Sequence, residues 1–281
     1  VTSGTAGALT LVCLAILGPG DEIIIPDPYF VIYPTLARIA EGKAVLCDTY
    51  PDFRMTVDRI EPLITSKTKA VLLNSPGNPT GAVLRADEVE AVANLCKERG
   101  ILLITDEIYD EFIFPPTTHA SPASFSEDVL IVRGYSKTHG CTGWRLGYAA
   151  GPERLIDEML KLKQQTFVCA PSALQKAVVN AHDIDLSPML ERFTSRRDMV
   201  VDLLGDVTEL TVPDGSFFAF PRVPEHLGMT GTEFIAKAIE QDVLVIQGNV
   251  FSAKDSHFRI SFAAADDLLE RGLIILRSLL S

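Results

Sequence analysis

The feature that most constrains this chain is an alternation. Short apolar runs recur between segments of helical periodicity: Glu22–Ile25, Ala44–Leu46, Ala70–Asn74, Ile101–Thr105, Val129–Arg133 and Leu146–Ala150. A strand that is apolar at nearly every position must be covered on both faces, as happens in parallel sheets flanked by helices. Between the third and fourth runs, Val89, Val92, Ala93 and Cys96 fall at i, i+3, i+4 and i+7 of a helix over Ala86–Arg99. Gly100 then stands where a left-handed residue ends such a helix. Repeated units of this kind predict an α/β fold with a mostly parallel, doubly wound sheet. Past Gly151-Pro152 the texture changes. Helical patterns cover Glu153–Phe167, Ser172–Asp183 and Pro188–Leu204, and three strand candidates follow at Ser216–Arg222, Val243–Gln247 and His257–Phe262. A helix at Gly231–Gln241 interrupts them, and Asp266–Leu280 comes last. The division expected is a large domain over 1–165 and a smaller α+β domain over 166–281, with long helices connecting them.

Composition narrows the partners. With 47% hydrophobic residues among 281, the chain can bury a sizeable core. Twenty-five Lys and Arg against 37 Asp and Glu leave a net charge of −12. That balance repels phosphate backbones and anionic lipid, so neither a nucleic acid nor a membrane surface is expected as partner. A small anionic ligand sees only the local field. The five cysteines are odd in number and include no C-x-x-C or Cys/His cluster. Neither a disulfide framework nor a metal site is expected, and a reducing cytoplasm fits. The longest apolar stretch, Leu9–Leu17, is stopped by Gly18-Pro19-Gly20 and is too short to cross a bilayer. No basic-then-apolar leader is visible. Val1–Gly7 reads as a strand end running straight into a helix without an initiator Met, so the sequence is expected to begin inside a fold.

Open α/β sheets bind ligands at the carboxyl ends of their strands, and four such places carry polar residues. Gly4-Thr5-Ala6-Gly7 opens an apolar helix, where free N–H groups and the positive dipole end suit a phosphate or merely make a tight connection. Asn74-Ser75-Pro76-Gly77-Asn78-Pro79-Thr80-Gly81 follows the third apolar run. It is either a plain Pro/Gly loop or one that aims an Asn amide at a ligand. Asp106-Glu107-Ile108-Tyr109 follows the fourth, and a carboxylate ending an interior strand is costly to desolvate unless a cation or donor meets it. Tyr135-Ser136-Lys137-Thr138-His139-Gly140-Cys141-Thr142-Gly143-Trp144-Arg145-Leu146-Gly147-Tyr148 follows the fifth. One Lys and one Arg, eight apart in a Gly/Thr-rich loop, are a poor solubility device, which leans toward function. His139 reads as a surface or supporting residue, Trp144 as packed, and Asp87, Glu88 and Glu90 as a solvated helix face.

In this order and at these spacings, Ser-Pro-Gly-Asn-Pro-Thr-Gly, Asp-Glu-Ile-Tyr and Ser-Lys-Thr-x-x-x-Thr-Gly-Trp-Arg-Leu-Gly-Tyr resemble the class I/II aminotransferases, pyridoxal-phosphate enzymes of fold type I, and in particular their aspartate/aromatic subgroup. Arg259, in Phe258-Arg259-Ile260-Ser261-Phe262, matches the family's carboxylate-binding Arg. The resemblance covers essentially the whole chain. It implies that Lys137 carries pyridoxal 5'-phosphate as an internal aldimine and then shuttles the proton, for which a primary amine of lowered pKa is required. It implies that Asp106 pairs with the pyridine nitrogen and that Tyr109 and Asn78 bond the ring's 3′ oxygen. Thr5, Ala6, Ser136 and Arg145 would hold the phosphate, Phe30 would stack on the ring, and Arg259 with Asn78 would grip the substrate α-carboxylate. A bidentate grip of that kind needs Arg rather than Lys.

The resemblance further implies a cytoplasmic homodimer with shared active sites, acting in amino-acid metabolism on an L-amino acid and a 2-oxo acid. Two alternatives stand beside it: another pyridoxal-phosphate reaction on the same scaffold, such as a C–S lyase, or the effector-sensing domain of an aminotransferase-like transcription regulator. Two departures from the family pattern matter. The family's N-terminal helix, its substrate-contacting Gly and a Tyr that reaches the other subunit's phosphate are not in the sequence. Ala6 also stands where aspartate-specific members of the subgroup carry a Lys that meets the side-chain carboxylate. Neutral, aromatic or aliphatic amino acids are therefore expected to be accepted at least as well as aspartate. The Asn78–Pro79 bond is expected to be cis.

Overall fold

A computed structural model describes all 281 residues. The first half is β1 (Thr2–Ser3), α1 (Gly4–Ile16), β2 (Glu22–Asp27), α2 (Tyr33–Ile39), β3 (Lys43–Asp48), α3 (Val57–Ile60), β4 (Thr68–Asn74), α4 (Ala86–Arg99), β5 (Leu102–Asp106), β6 (Val129–Gly134) and β7 (Leu146–Ala150). Its seven strands form one sheet in the order β1-β7-β6-β5-β4-β2-β3. The strands from β3 to β6 are parallel, whereas β7 runs antiparallel to both its neighbours.

Both faces of this sheet are covered, as the unbroken apolar runs require. On one face, Ala8, Leu9 and Val12 of α1, Leu36 and Ala37 of α2, and Met159 pack against Ile23, Ile25, Leu72, Ile104 and Leu130. On the other, Val89, Val92, Ala93 and Cys96 of α4 pack against Ile24, Val71, Leu73 and Leu103. Successive strand residues point to opposite faces, so one apolar run serves two cores. Gly100, at φ 65°, ends α4 as expected.

The second half is α5 (Glu153–Gln165), α6 (Ser172–Ala177), α7 (Ser187–Leu204), β8 (Phe218–Ala219), α8 (Gly231–Glu240), β9 (Ile246–Gln247), β10 (Phe258–Ser261) and α9 (Asp266–Leu280). A three-stranded antiparallel sheet, β8-β10-β9, packs on α7, α8 and α9 around Val200, Leu204, Phe234, Ala238, Phe258, Ile260, Leu273 and Leu276.

Several expected boundaries shift. The strand expected over Ser216–Arg222 reduces to β8, because Ser216 sits at φ 58° and Pro221 has no N–H for a ladder. The Val243–Gln247 strand reduces to β9, since Asp242 is also left-handed and Leu244 is 84% exposed. The Ser172–Asp183 helix is α6 followed by a 3₁₀ turn over Val178–Asp183. The helix expected to reach Phe167 stops at Gln165, just before Val168 at φ 60°. No expectation covered α2, a two-turn helix with proline at its start.

Candidate active site

The register of the large sheet builds the site. Asn74 pairs with Asp106 across β4 and β5, so both stand at the carboxyl edge. Asp106 is 2% exposed, and burial pushes its carboxyl up to about 6, with Glu107 pushing the same way. Three groups oppose that rise: Tyr33 Oη donates to Oδ2 at 2.9 Å, the Ile108 N–H donates to Oδ1 at 3.2 Å, and Lys137 adds a positive charge. The burial cost wins.

Asn74 organises the Pro/Gly loop. Its Nδ2 donates to the Asp106 carbonyl at 3.0 Å and to that of Pro76 at 3.2 Å, while its Oδ1 accepts the Asn78 N–H at 2.9 Å. The Asn78–Pro79 bond is cis, as expected. Asn78 is buried, and its Oδ1 accepts from Arg259 Nη1 at 2.8 Å. Arg259 comes from β10, so this bond joins the two sheets' units across 181 positions of sequence. Its guanidinium lies between the rings of Phe218 and Phe251, at 4.3 and 4.5 Å, and its Nε is buried without an acceptor. Burial holds its pKa below the ordinary value. The Tyr109 hydroxyl is pushed up by burial, with Asp106 adding to the rise and Arg259 and Asn78 opposing it.

Lys137 lies in the loop after β6. Burial lowers the pKa of its amine first, then Arg259 and Arg145 in the same direction, against Asp106. Its Nζ stands 5.9 Å from the Tyr109 ring centre and 5.8 Å from that of Phe217. Ser136, one residue before, is buried. Arg145 adopts φ 53° and donates from Nη1 to the Thr142 carbonyl at 3.1 Å. Its Nη2 stands 2.6 Å from where a Cβ on Gly4 would be, so only glycine lets the guanidinium approach α1 this closely. Thr5 and Ala6 follow in the first turn of α1, whose N–H groups have no intrahelical acceptor. Free N–H groups beside an arginine make a site for an anion. Phe30 is half-buried and meets Tyr33 edge-on at 5.7 Å.

The expected residues thus gather at one edge of the large sheet, linked through Arg259, Asn78, Asn74, Asp106 and Tyr33. Two of those links, Tyr33 and Asn74, were not singled out from the sequence. A third supporting element was also missed. Glu107, fully buried, accepts from Arg133 Nε at 2.8 Å, Arg133 Nη2 at 2.6 Å and Ser121 Oγ at 2.7 Å, with His119 Nε2 at 3.3 Å. Burial would raise its pKa, but these partners together hold it below the usual value. Asp106, the last residue of β5, accepts from Tyr33, whereas Glu107, the next residue, donates its N–H to the Val132 carbonyl at 2.9 Å and turns its carboxylate onto Arg133.

Two of the plainer expectations need correction. Trp144 is not packed but 38% exposed, because it lies in a short 3₁₀ turn over Thr142–Trp144 at the surface. Glu88 is not solvated: it accepts from Arg54 Nη1 and from the Arg85 N–H, each at 2.8 Å, which holds it at the start of α4. His139 stays within its expectation of a surface or supporting residue: it is half-buried, with its Nε2 3.1 Å from the Ala181 carbonyl.

A model of the family described as aminotransferase class I and II matches residues 1–273. The chain belongs to that family. It is 33% identical to a probable aspartate aminotransferase of Methanocaldococcus jannaschii over 99% of its own length and 76% of the relative's. It is 35% identical to an aspartate aminotransferase of Geobacillus stearothermophilus over 96% of its length and 72% of that protein's. Among solved structures, the aromatic aminotransferase of Pyrococcus horikoshii superposes with a TM-score of 0.95 at 34% identity, covering 99% of this chain and 78% of that one. The aminotransferase therefore has the fold type I architecture and transfers an amino group between an amino acid and a 2-oxo acid. The family generally works with pyridoxal phosphate.

Proposed function

We propose that the aminotransferase holds pyridoxal phosphate against Phe30, Asn78, Asp106, Tyr109 and Lys137, with its phosphate on Thr5, Ala6, Ser136 and Arg145. Arg259 and Asn78 take the substrate α-carboxylate. The observation that carries this reading is the setting of Lys137: burial and two arginines lower its pKa, and a buried carboxylate faces it. The donor set fits the cofactor at both ends. Gly4 leaves room for Arg145 at the anion site, and Asp106 offers a buried negative charge to a ring nitrogen. Bound there, the cofactor supplies an electron sink for the charge that develops at the substrate Cα.

The protein's own residues do the rest. Lys137 moves the proton at Cα, and the same burial and positive neighbours favour the neutral amine that a base requires. Tyr33 and the Ile108 N–H favour the charged form of Asp106. Tyr109 and Asn78 hold the ring's 3′ oxygen. Phe218 and Phe251 exclude water from the guanidinium of Arg259, which strengthens its grip on a carboxylate. The test is Lys137→Ala, expected to lose the visible absorbance of the lysine-bound cofactor and essentially all turnover while keeping the fold by circular dichroism. Transamination by that variant at near the original rate would remove the assignment.

The substrate side chain is read as neutral, aromatic or aliphatic. Ala6 brings no cation, Phe167 lies against Gly7 beside it, and the positive groups of the site are committed to amine, phosphate and α-carboxylate roles. The assembly we infer is a homodimer with shared active sites, which the exposed apolar side chains Val168, Val179 and Ile184 support. Five free thiols fit a cytoplasmic setting. The units divide near residue 165, where α5 ends.

A further inference from the structure

Asp27 ends β2, is 4% exposed, and has no role in the chemistry above. Its Oδ1 is buried without any hydrogen-bond partner. Its Oδ2 accepts the Ala253 N–H at 3.4 Å, and Tyr29, two residues on, donates its own N–H to the Phe251 carbonyl at 2.7 Å. Tyr50 Oη donates to Ser252 Oγ at 3.0 Å, and Lys254 Nζ reaches Asp48 Oδ2 at 2.8 Å. Four successive residues, Phe251–Lys254, are thus each held by a residue at or just past the carboxyl ends of β2 and β3. This segment precedes β10 and belongs to the other sheet's unit. Its first residue, Phe251, lays its ring 4.5 Å from the guanidinium of Arg259, whose Nη1 bonds Asn78.

The ties differ in weight. The Lys254–Asp48 pair is exposed and screened by solvent, so it contributes little. Asp27 is the acidic side chain that anchors the segment from inside. Burial raises the pKa of its carboxyl and Asp48 pushes the same way, against Ser252, the Ala253 N–H and Lys254, which favour the charged form.

We propose that Asp27 is a positioning residue for the substrate-binding arginine: its carboxyl ties Phe251–Lys254 to β2, and Phe251 thereby sets the guanidinium of Arg259 over Asn78. The proposal rests on the reading that Arg259 holds the substrate carboxylate. The test compares Asp27→Ala, Asp27→Asn and Arg259→Lys in the holoenzyme, by kcat, KM for the amino acid, equilibrium binding of 2-oxoglutarate, and amide exchange over Phe251–Lys254. Asp27→Ala should speed exchange in that segment and weaken 2-oxoglutarate binding and KM about five- to tenfold, with kcat within about twofold of the original. Asp27→Asn keeps an Oδ acceptor for the Ala253 N–H and should restore both. Arg259→Lys should weaken binding without changing exchange. Should Asp27→Ala not fold, Asp27→Ser, too short to reach Ala253, makes the same comparison. Normal binding or unaltered exchange in the Asp27 variant, with Arg259→Lys impaired, overturns the role of Asp27. Normal binding in Arg259→Lys overturns the reading of Arg259 and the proposal with it.

Discussion

Removing the Tyr33 hydroxyl tests how the site keeps Asp106 charged. Burial has pushed that carboxyl up to about 6, and the Tyr33 O–H, at 2.9 Å, opposes the rise. A hydrogen bond to a charged group contributes about 1.5–3 kcal/mol, so Tyr33→Phe should raise the carboxyl's pKa by about 1–2 units further. At pH 7 the cofactor-free carboxyl would fall from about nine-tenths ionised to between about one-half and one-tenth. An uncharged Asp106 has no attraction for a protonated ring nitrogen. Cofactor affinity is therefore lost as pH falls through the pKa of Asp106, and in the variant this happens at higher pH. The assay is the dissociation constant for pyridoxal phosphate from pH 5 to 9, followed by absorbance. The variant's curve should be displaced upward by about 1–2 pH units, with the two proteins converging near pH 9. A displacement of less than about 0.3 units in a normally folded variant would refute the argument, since the hydroxyl would then contribute almost nothing to the charged form.

Three further outcomes follow from the same geometry. In the cofactor-free enzyme, a carboxyl raised from 3.8 to about 6 contributes stability that is present below pH 4 and lost as pH rises through 6. Asp106→Asn should therefore be more stable than the original above pH 6, by up to about 3 kcal/mol, and equal to it below pH 4, as denaturant melts at several pH values will show. A Cβ on Gly147 would stand 2.6 Å from the Gly4 carbonyl carbon and 2.8 Å from the Thr5 nitrogen, both backbone. Gly147→Ala should push β7 off the anion site and weaken pyridoxal phosphate by about tenfold or more, while dephosphorylated pyridoxal, which makes no use of that site, is little affected. Finally, kcat/KM with 2-oxoglutarate as acceptor should be at least as high for phenylalanine or methionine as for aspartate, because a carboxylate entering a pocket without a cation pays for its desolvation. An aspartate preference of about a hundredfold or more would show that a cation reaches the side-chain pocket.

What the sequence determined by itself was whatever is local or periodic. The unbroken apolar runs demanded a sheet covered on both faces, and α4 kept its bounds because its stripe and Gly100 are both encoded within a few residues. Asp106, Lys137 and Arg145 stood out as candidates because they lie in short polar runs at or just past strand ends, where apolar surroundings make a charge conspicuous, whereas Arg259, inside β10, was singled out only by the family resemblance. Other things depended on pairings between distant segments. The antiparallel direction of β7, the shortening of β8 and β9, and the bond from Arg259 to Asn78 are settled by packing and positive-φ residues that no period announces. Tyr33 carried no sequence signal of its own; α2 brings its hydroxyl onto Asp106, 73 positions away. Asp106 and Glu107 are adjacent carboxylates that strand pattern and composition do not rank, and only the family resemblance picked out Asp106 of the two. Asp106 ends β5 and accepts from Tyr33, while Glu107, the next residue along, turns its carboxylate onto Arg133. A carboxyl's role follows from the charges and donors that surround it, and those are assembled only when strands distant in sequence lie side by side.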